Sequence, residues 1–416
     1  MRTSKQLAAA FVVAVAGLGH AAATASSTPA ATVSTYIVVL RDGVDPGTFG
    51  SGLVTGYDAR VTHTYRFALN GLAARIPEAV LSTIQADPQV EYVVPDQPVT
   101  AAAQTVPPGI DRIDAELSAT ALIGGTNAGV DQRVAVDVAI LDSGIDLNHP
   151  DLNVMTARKK SCTGSTGEDA FGHGTQMAGI VGALDNSIGT VGVAPGARLW
   201  PVQVLDSKGR GTFSTVLCGV DYVTQYASEV EVANMSLQAS GSEPPGAGCT
   251  TGNAYHDGIC RSVLAGVTYV AAAGNNAANA AGYVPAAFDE VVTVSAMPDY
   301  DGKPGGLGTT RCSKDVDDTF GNLSNFGADV DLIAPGVCIY STNKGDGYTS
   351  ASGTSHAAAH VSGAAALFIA RELAAGRAVP SPATVASELQ RSGTLYWNSA
   401  DDKDGITEKL VNVAAY

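Results

Sequence analysis

The chain has 416 residues with a formal net charge of -16, and 45% of its residues are hydrophobic against 15% charged. That length and apolar content suffice for a large buried core and exclude a disordered or fibrous protein. Residues 1–104 hold six Lys and Arg against seven Asp and Glu, which leaves -15 of the charge on residues 105–416; a surface that acidic repels phosphate backbones and argues against nucleic acid as a partner.

The chain begins with Arg2 and Lys5, an apolar run from Leu7 to Leu18 and the small residues Ala23-Thr-Ala25, the layout of a secretory signal peptide over residues 1–25. The run is far shorter than the ~20 residues that span a bilayer, so an exported protein with no membrane anchor after leader removal is expected. After a Thr/Ala/Ser-rich spacer, β-branched and alternating residues predict strands at 36–41, 61–67, 71–76 and 90–94 and a helix over 78–86. The Gly-rich stretch 43–56 stands where a first helix would complete a β-α-β-β-α-β pattern and is the weakest element of the set. Residues 100–108 read as an exposed linker, which divides the chain into a signal peptide (1–25), a small α+β ferredoxin-like domain (26–104) and a large domain (105–416).

In the large domain apolar strands alternate with helical segments: strand 134–141, helix 175–184, strand 198–205, helix 215–226, then strands 231–236, 267–273, 291–296 and 330–333. Runs apolar on both faces between helices predict an α/β fold with a doubly wound, mostly parallel sheet and helices on both sides. The stretch 357–373 is broken by His360, Ser362, Gly363 and Arg371 and reads as a buried core helix. All six cysteines follow residue 150 without a C-x-x-C spacing; an even number in an exported chain suggests disulfides, and sequence alone leaves 15 connectivities open.

Three short segments carry the chemistry: Ile140-Leu-Asp-Ser-Gly-Ile-Asp146, Gly172-His-Gly-Thr175 and Gly353-Thr-Ser-His-Ala357. Asp142 ends a strand at the carboxyl edge where ligands gather in open α/β sheets. His173 lies between two glycines just before a helix. Ser355 opens an Ala-rich helix at the positive end of its dipole. A serine nucleophile needs a neighbouring base and a third group that fixes the base's tautomer, and these residues supply all three. Asn275, after Val270-Ala-Ala-Ala-Gly274 at another strand end, offers an amide donor for the oxyanion of acyl transfer. Each feature alone is common in turns and loops; their joint order, Asp then His then Ser, is what points to a catalytic triad.

The likeness extends well past the triad. Gly192-Val-Ala-Pro-Gly-Ala-Arg-Leu199, Ala271-Ala-Ala-Gly-Asn-Asn276, Val284-Pro-Ala286, Leu332-Ile-Ala-Pro-Gly336 and His360-Val-Ser-Gly-Ala364 resemble the subtilase catalytic domain, and its proteinase K-like branch, over residues 105–416. Tyr36 to Leu40, Leu69 to Ile76 and Gln89 to Pro95 resemble the inhibitory propeptide of subtilisins. The resemblance implies a zymogen whose propeptide templates folding and acts as an intramolecular inhibitor until it is cut away. It implies that Asp142 orients the base, His173 is the general base and acid, Ser355 is the nucleophile, and Asn275 with the Ser355 N–H forms the oxyanion hole.

The same resemblance lays a polypeptide substrate as an added strand between 210–212 and 236–238, in contact with Gly211, Ser236, Leu237 and Gln238. It places a structural Ca2+ at the carbonyls of Asp289 and Val291 and the carboxylate of Asp331, and pairs Cys162 with Cys218, Cys249 with Cys260 and Cys312 with Cys338. No organic cofactor is expected, and the mature protein is expected to be a monomer.

The chain departs from the family's His-Gly-Thr-His, Ser-Leu-Gly-Gly and Gly-Thr-Ser-Met-Ala-x-Pro-His at Gln176, at Gln238 and Ala239, and at His356 and Ala359. Glycine permits close backbone approach, so Gln238 and Ala239 are expected to narrow or reshape the cleft. No acidic residue occurs in 276–282, where the family's S1 wall lies, so neutral or apolar P1 residues are expected. The rival reading is a catalytically silent subtilase-fold protein that binds peptides without turnover.

His356 and His360 have the i,i+4 spacing of a zinc pair, but Ala357 stands where such a motif needs Glu and His360 matches the family's core histidine, so no metal is expected there. His149 and His256 are read as structural. The acidic insert 299–306, followed by Asp315-Val-Asp-Asp318, is either a second calcium site or a solvated loop.

Overall fold

A computed structural model of the chain describes residues 33–97, 104–124, 134–246 and 248–416. The expected signal peptide and residues 100–103 of the expected linker lie outside the described residues. Two compact units divide the chain, Met1–Thr100 and Ala101–Tyr416.

The first unit runs β1 (Val33–Leu40), α1 (Pro46–Tyr57), β2 (Arg60–Tyr65), β3 (Gly71–Pro77), α2 (Glu78–Gln85) and β4 (Val90–Pro95), with the antiparallel order β2-β3-β1-β4. The Gly-rich stretch does form the missing helix. Asp45 caps it by accepting from Thr48 N at 2.8 Å, Pro46 occupies the first turn where its missing N–H costs nothing, and Phe49 and Leu53 bury against the sheet with Val38, Leu40, Leu72 and Ile76. Cap and packing together outweigh the low helix propensity of its glycines.

The second unit contains α3 (Pro108–Arg112), β5 (Asp137–Asp142), β6 (Lys160–Ser161), α4 (His173–Gly182), β7 (Arg198–Gln203), α5 (Phe213–Gln225), β8 (Val232–Met235), β9 (Ala239–Ser240), α6 (Ala254–Leu264), β10 (Thr268–Ala272), β11 (Tyr283–Val284), β12 (Val292–Pro298), β13 (Leu332–Val337), β14 (Ile339–Asn343), β15 (Gly347–Ala351), α7 (Thr354–Ala374), α8 (Pro382–Ser392) and β16 (Lys409–Leu410). Eight strands form one parallel sheet in the order β16-β13-β12-β10-β8-β5-β7-β6. From β5 the chain adds β7 and β6 on one side and β8 onward on the other, so the order reverses beside β5. In open α/β sheets a crevice opens there, outside the carboxyl ends of the strands.

Side chains alternate across each strand and bury on both faces. Val138, Ile140, Val232, Val270 and Ala272 pack with Met177, Ile180 and Val181 of α4 and Val361, Leu367 and Ile369 of α7. Ala139, Leu141, Ala233, Met235, Tyr269 and Ala271 pack with Val216, Val220 and Val223 of α5 and Tyr255 and Ile259 of α6. The expected doubly wound sheet is therefore the observed one. The strand expected from 134 starts at Asp137, because Val134 N donates to Pro195 O at 2.8 Å and the first residues run as loop. Sequence reasoning did not anticipate α6, α8 or the β14–β15 hairpin, whose apolar periodicity is interrupted by polar residues and glycine.

Gln104 is bonded into the second unit: its Nε2 donates to Thr190 O at 2.7 Å and its Oε1 accepts from Asn186 N at 3.2 Å. Among the described residues no helix is long and apolar enough to cross a membrane. The disulfides Cys162–Cys218, Cys249–Cys260 and Cys312–Cys338 are the expected pairs. The first closes a separation of 56 residues, for which chain-entropy reasoning gives about 4 kcal/mol. The double variant C162A/C218A should lose stability of that order in denaturant unfolding, and non-reducing peptide mapping of the parent should return these three pairs; a Cys249–Cys338 peptide would overturn the pairing.

Candidate active site

Asp142 closes β5 and has no solvent exposure. A buried carboxylate is tolerable only when donors replace its water. Here Ser143 N donates at 2.7 Å, and Nδ1 of His173 lies 2.9 and 2.8 Å from the two carboxylate oxygens. With Asp142 accepting at Nδ1, the ring carries its proton there and leaves the Nε2 lone pair for a reaction partner. Burial pushes the His173 pKa down, but the charge and hydrogen bond of Asp142, with the charge of Asp169, raise it above the ordinary imidazole value overall.

The approach of α4 to β5 depends on glycine. Gly172, at φ +110°, turns the chain into the helix, and a Cβ at Gly174 would lie 2.0 Å from the Gly144 carbonyl oxygen and 3.1 Å from Asp142 Cβ. Asp169 holds this turn. It accepts from Ser143 Oγ (2.8 Å), Phe171 N (3.0 Å), Gly172 N (2.7 Å), Thr175 N (2.9 Å) and Thr175 Oγ1 (2.6 Å). Sequence reasoning missed Asp169, although an Asp three residues ahead of Gly172 is the spacing at which a carboxylate meets the N–H groups of a turn.

Ser355 is the second residue of α7 and is buried. Its Oγ donates to Ser236 O at 3.3 Å, while Ser236 Oγ donates back to Ser355 O at 2.8 Å. Asn234 Nδ2 donates to Ser236 Oγ at 2.9 Å and Asn234 Oδ1 accepts from Ser362 Oγ at 2.9 Å, so a buried polar chain fastens the end of β8 to α7. The structure brings Asp142 and His173 into contact and sets the start of α7 beside them: the rings of His173 and His356 lie 6.2 Å apart, edge to face. The Ser355 hydroxyl is turned to Ser236 rather than to His173. Catalytic hydrogen bonds are often long or unaligned without substrate.

Asn275 follows β10. Its Oδ1 accepts from Thr354 N (2.8 Å) and Thr354 Oγ1 (3.0 Å), which leaves the NH2 half of the amide to donate. Thr354 Oγ1 also accepts from Gly274 N at 3.0 Å. Thr354, which sequence reasoning did not single out, thus fixes which way the Asn275 amide faces. Gln238 reaches across from the β8 side, accepting from Asn275 N at 3.0 Å and donating to Asn276 Oδ1 at 2.7 Å. The expected reshaping of the cleft takes this form: the longer side chain ties the segment after β8 to the Asn275 loop.

A cavity of about 670 Å3 extends from His173 between Gly209–Phe213 and Ser236–Ala239, with Leu205, Val216 and Tyr255 behind it. Gly211, Ser236, Leu237 and Gln238 all line it. Phe213 stacks on Tyr255 at 4.4 Å between centroids, which makes an aromatic wall.

The residues expected to hold a cation lie on two segments that flank β12 in the chain. Asp289 and Val291 lie in the turn before β12, and Asp331 accepts from Thr293 N at 2.9 Å and Gln390 Nε2 at 2.8 Å. Burial, with the carboxylates of Asp289 and Asp329, raises the Asp331 pKa to about 6. In the acidic insert Asp299, Asp301 and Asp317 place carboxylate oxygens within 4.8 Å of one another. Arg112 meets Asp299 at 2.7 Å and Asp318 at 2.8 Å, both in buried pairs, yet burial still raises the Asp299 pKa to about 7. Asp299, Asp315, Asp317 and Asp318 are therefore buried and anchored, while residues 303–306 of the insert are exposed.

His356 and His360 do not face each other across a ligand position. His360 Nδ1 meets His356 O at 2.8 Å, and His356 Nε2 meets Gln176 Oε1 at 3.3 Å. Burial lowers both, His356 to about 3 and His360 to about 4, so both are neutral in the fold, whereas an unfolded histidine titrates near 6.5. Between those values the unfolded chain binds more protons, so the stability they contribute is present above about pH 6.5 and is lost as the pH falls towards 3 to 4. Denaturant unfolding of an S355A background at pH 7 and pH 4 should therefore show a drop, and His356→Met should make that drop smaller; an identical acid slope in both proteins would count against a neutral His356.

Comparison with known proteins agrees with this geometry. A family model described as the subtilase family matches residues 134–404, and one described as peptidase inhibitor I9 matches residues 35–102. The chain is 34% identical over 352 residues to subtilisin NAT of Bacillus subtilis subsp. natto, covering 83% of this chain and 80% of that protein. It is 35% identical over 321 residues to an extracellular serine proteinase of Thermus sp., covering 75% and 69%. A crystal structure of a cold adapted subtilisin-like serine proteinase aligns with TM-score 0.55 and 30% identity, covering 74% of this chain and 97% of that one.

Proposed function

The chain belongs to the subtilase family of serine peptidases, and on that premise we propose that it is a secreted endopeptidase, made with an I9-type inhibitory propeptide and matured by its own Ser355. The observation that carries this reading is the grip of buried Asp142 on His173 Nδ1 at 2.8 Å, beside the start of α7 that holds Ser355. With Nδ1 so engaged, His173 Nε2 takes the Ser355 proton as the hydroxyl turns from Ser236 O and attacks the scissile carbonyl, and later returns it to the leaving amine. Asn275 Nδ2 and the Ser355 N–H, at the positive end of α7, receive the oxyanion. The fixed orientation of Asn275 by Thr354 supports that role, because a preset donor needs no reorganisation during the reaction.

The substrate pairs as an extended strand between Gly211 and Ser236–Gln238, and its side chains enter a cavity whose walls include Leu205, Phe213, Val216, Leu237 and Tyr255. Those walls favour apolar residues, and the neutral segment 276–282 favours neutral P1 residues. We place the maturation cut ahead of Gln104, whose side chain is already bonded into the second unit.

Ser355→Ala should leave an uncut precursor in a host free of other proteases, because it removes the acyl-enzyme route. Asn275→Ala should still process itself, about 10²- to 10³-fold more slowly. Secretion of the Ser355→Ala protein with the wild-type mature N-terminus would refute self-processing, and a parent protein inert to a serine-reactive phosphonate would favour the silent peptide-binding reading.

For calcium, the donor chemistry fits: the carboxylate of Asp331 and the carbonyls of Asp289 and Val291 are hard oxygen ligands, and the neighbouring carboxylates that raise Asp331 leave negative charge for a cation to offset. When bound, the ion supplies structural stabilisation and takes no part in acyl transfer. Ca2+ should raise the melting temperature by mass action, and Asp331→Ala should remove much of that gain; equal melting temperatures in Ca2+ and in chelator would refute the site.

A further inference from the structure

The loop between β9 and α6, the first turn of α6 and the turn before β12 bring a histidine and two glutamates together. His256 is 1% exposed. Its Nε2 lies 3.2 Å from Glu290 Oε2 and 3.4 Å from Glu243 Oε1, yet neither contact has hydrogen-bond geometry. Nε2 of His256 and Oε2 of both glutamates are buried without a hydrogen-bond partner. Among the described residues no Lys or Arg pairs with either glutamate.

The other ring nitrogen is engaged. His256 Nδ1 faces Asp257 Oδ1 at 3.2 Å, and Asp257 is fixed as an acceptor by Thr251 N (2.9 Å), Thr251 Oγ1 (2.7 Å) and Gly252 N (3.2 Å). A carboxylate that accepts at Nδ1 keeps the proton there and aims the Nε2 lone pair at the two glutamates, the outer-sphere arrangement of metal-binding histidines. A lone pair facing two carboxylates is repulsive unless a metal cation or a proton lies between them.

The spacing suits an ion. Zinc bonds of about 2.0 to 2.2 Å in a tetrahedron set neighbouring ligand atoms about 3.3 Å apart, and the two measured separations bracket that value. We propose that His256 Nε2, Glu290 and Glu243 form a site for a divalent ion of the zinc class, with the fourth position open to water. An imidazole in the ligand set selects such an ion over Ca2+ or Mg2+, which take oxygen donors. Cys260 Sγ lies within 4.8 Å of the facing atoms of His256 and Glu290, but it is bonded to Cys249 and offers no thiolate. That disulfide closes the loop after Glu243 onto α6 and pre-forms the site.

The ion would pin the segments carrying Glu243 and Glu290 to the first turn of α6, where Tyr255 lines the substrate cavity and stacks on Phe213. It is a structural ion, remote from the bond-breaking atoms, and the assignment stands whether or not the protein turns over peptides.

The test uses the full chain in an S355A background, which prevents self-digestion, stripped with chelator and then held in excess Ca2+ so that oxygen-ligand sites are filled. Titration with zinc chloride, followed by calorimetry and by metal analysis after desalting, should show one Zn2+ per chain in excess of the His256→Gln variant. Co2+ should give the visible absorption of a four-coordinate site. Asp257→Asn should weaken Zn2+ binding about 10- to 100-fold, and Glu290→Gln and Glu243→Gln, which alter partly exposed side chains, at least as much, while Asp331→Ala leaves it unchanged. A Zn2+ isotherm unaltered by both glutamine variants would overturn the proposal. So would absence of Zn2+ uptake by protein whose far-UV circular dichroism is native, which would make the cluster an imidazolium paired with carboxylates.

Discussion

A carboxylate with no access to water governs the architecture around it. Asp142 is buried at the end of β5, and a charge so placed persists only if the protein supplies hydrogen bonds in place of hydration. Two groups do so, the Ser143 N–H and the His173 ring. That requirement draws the first turn of α4 against β5, and glycine occupies 172 and 174, one to turn the chain and one because a Cβ would strike the Gly144 carbonyl oxygen. It also explains why a second buried acid, Asp169, spends its acceptors on the turn that presents the histidine.

The nucleophile side of the cleft is held by a different device. α7 enters the core with small residues, so it lies close on the sheet and places its N-terminus at the carboxyl edge. Ser236 and Ser355 exchange hydrogen bonds across that edge, and Thr354 turns the Asn275 amide. Gln238 links the two devices, since one amide spans from the segment after β8 to both Asn275 and Asn276. The Asn275 amide is therefore fixed both by Thr354 and by the segment after β8 that lines the cavity.

The net charge of -16 is not spread evenly. Carboxylates gather at Asp299, Asp301 and Asp317, at Asp289, Asp329 and Asp331, and at Glu243 and Glu290. Arg112 offsets part of the first group from within the core. The others have neutral donors, or a histidine, as their nearest partners, and like charges held together in this way are stabilised by small cations more readily than by long side chains that lose rotamer freedom.

Much of this was legible in the amino-acid sequence. Alternating and doubly apolar runs identify the strands because side chains on a strand alternate between faces, and the Asp-Ser-Gly, Gly-His-Gly and Gly-Thr-Ser segments mark element ends where chemistry is mounted. The propeptide helix was the hardest local reading, since four glycines argue against a helix that Asp45 and the packing of Phe49 and Leu53 stabilise. Periodicity also said little of α6, α8 and the β14–β15 hairpin. By itself the sequence determined the doubly wound architecture, the candidates for the reacting residues and the chemical kinds of ligand available. Only the tertiary structure decided that Ser355 rests on Ser236, that Thr354 orients Asn275, that Gln238 bridges the cleft, and that His256 meets Glu243 and Glu290. Those contacts join residues distant in the chain, and hydrogen-bond direction and ångström-scale separation are properties of the packed state that local residue patterns do not encode.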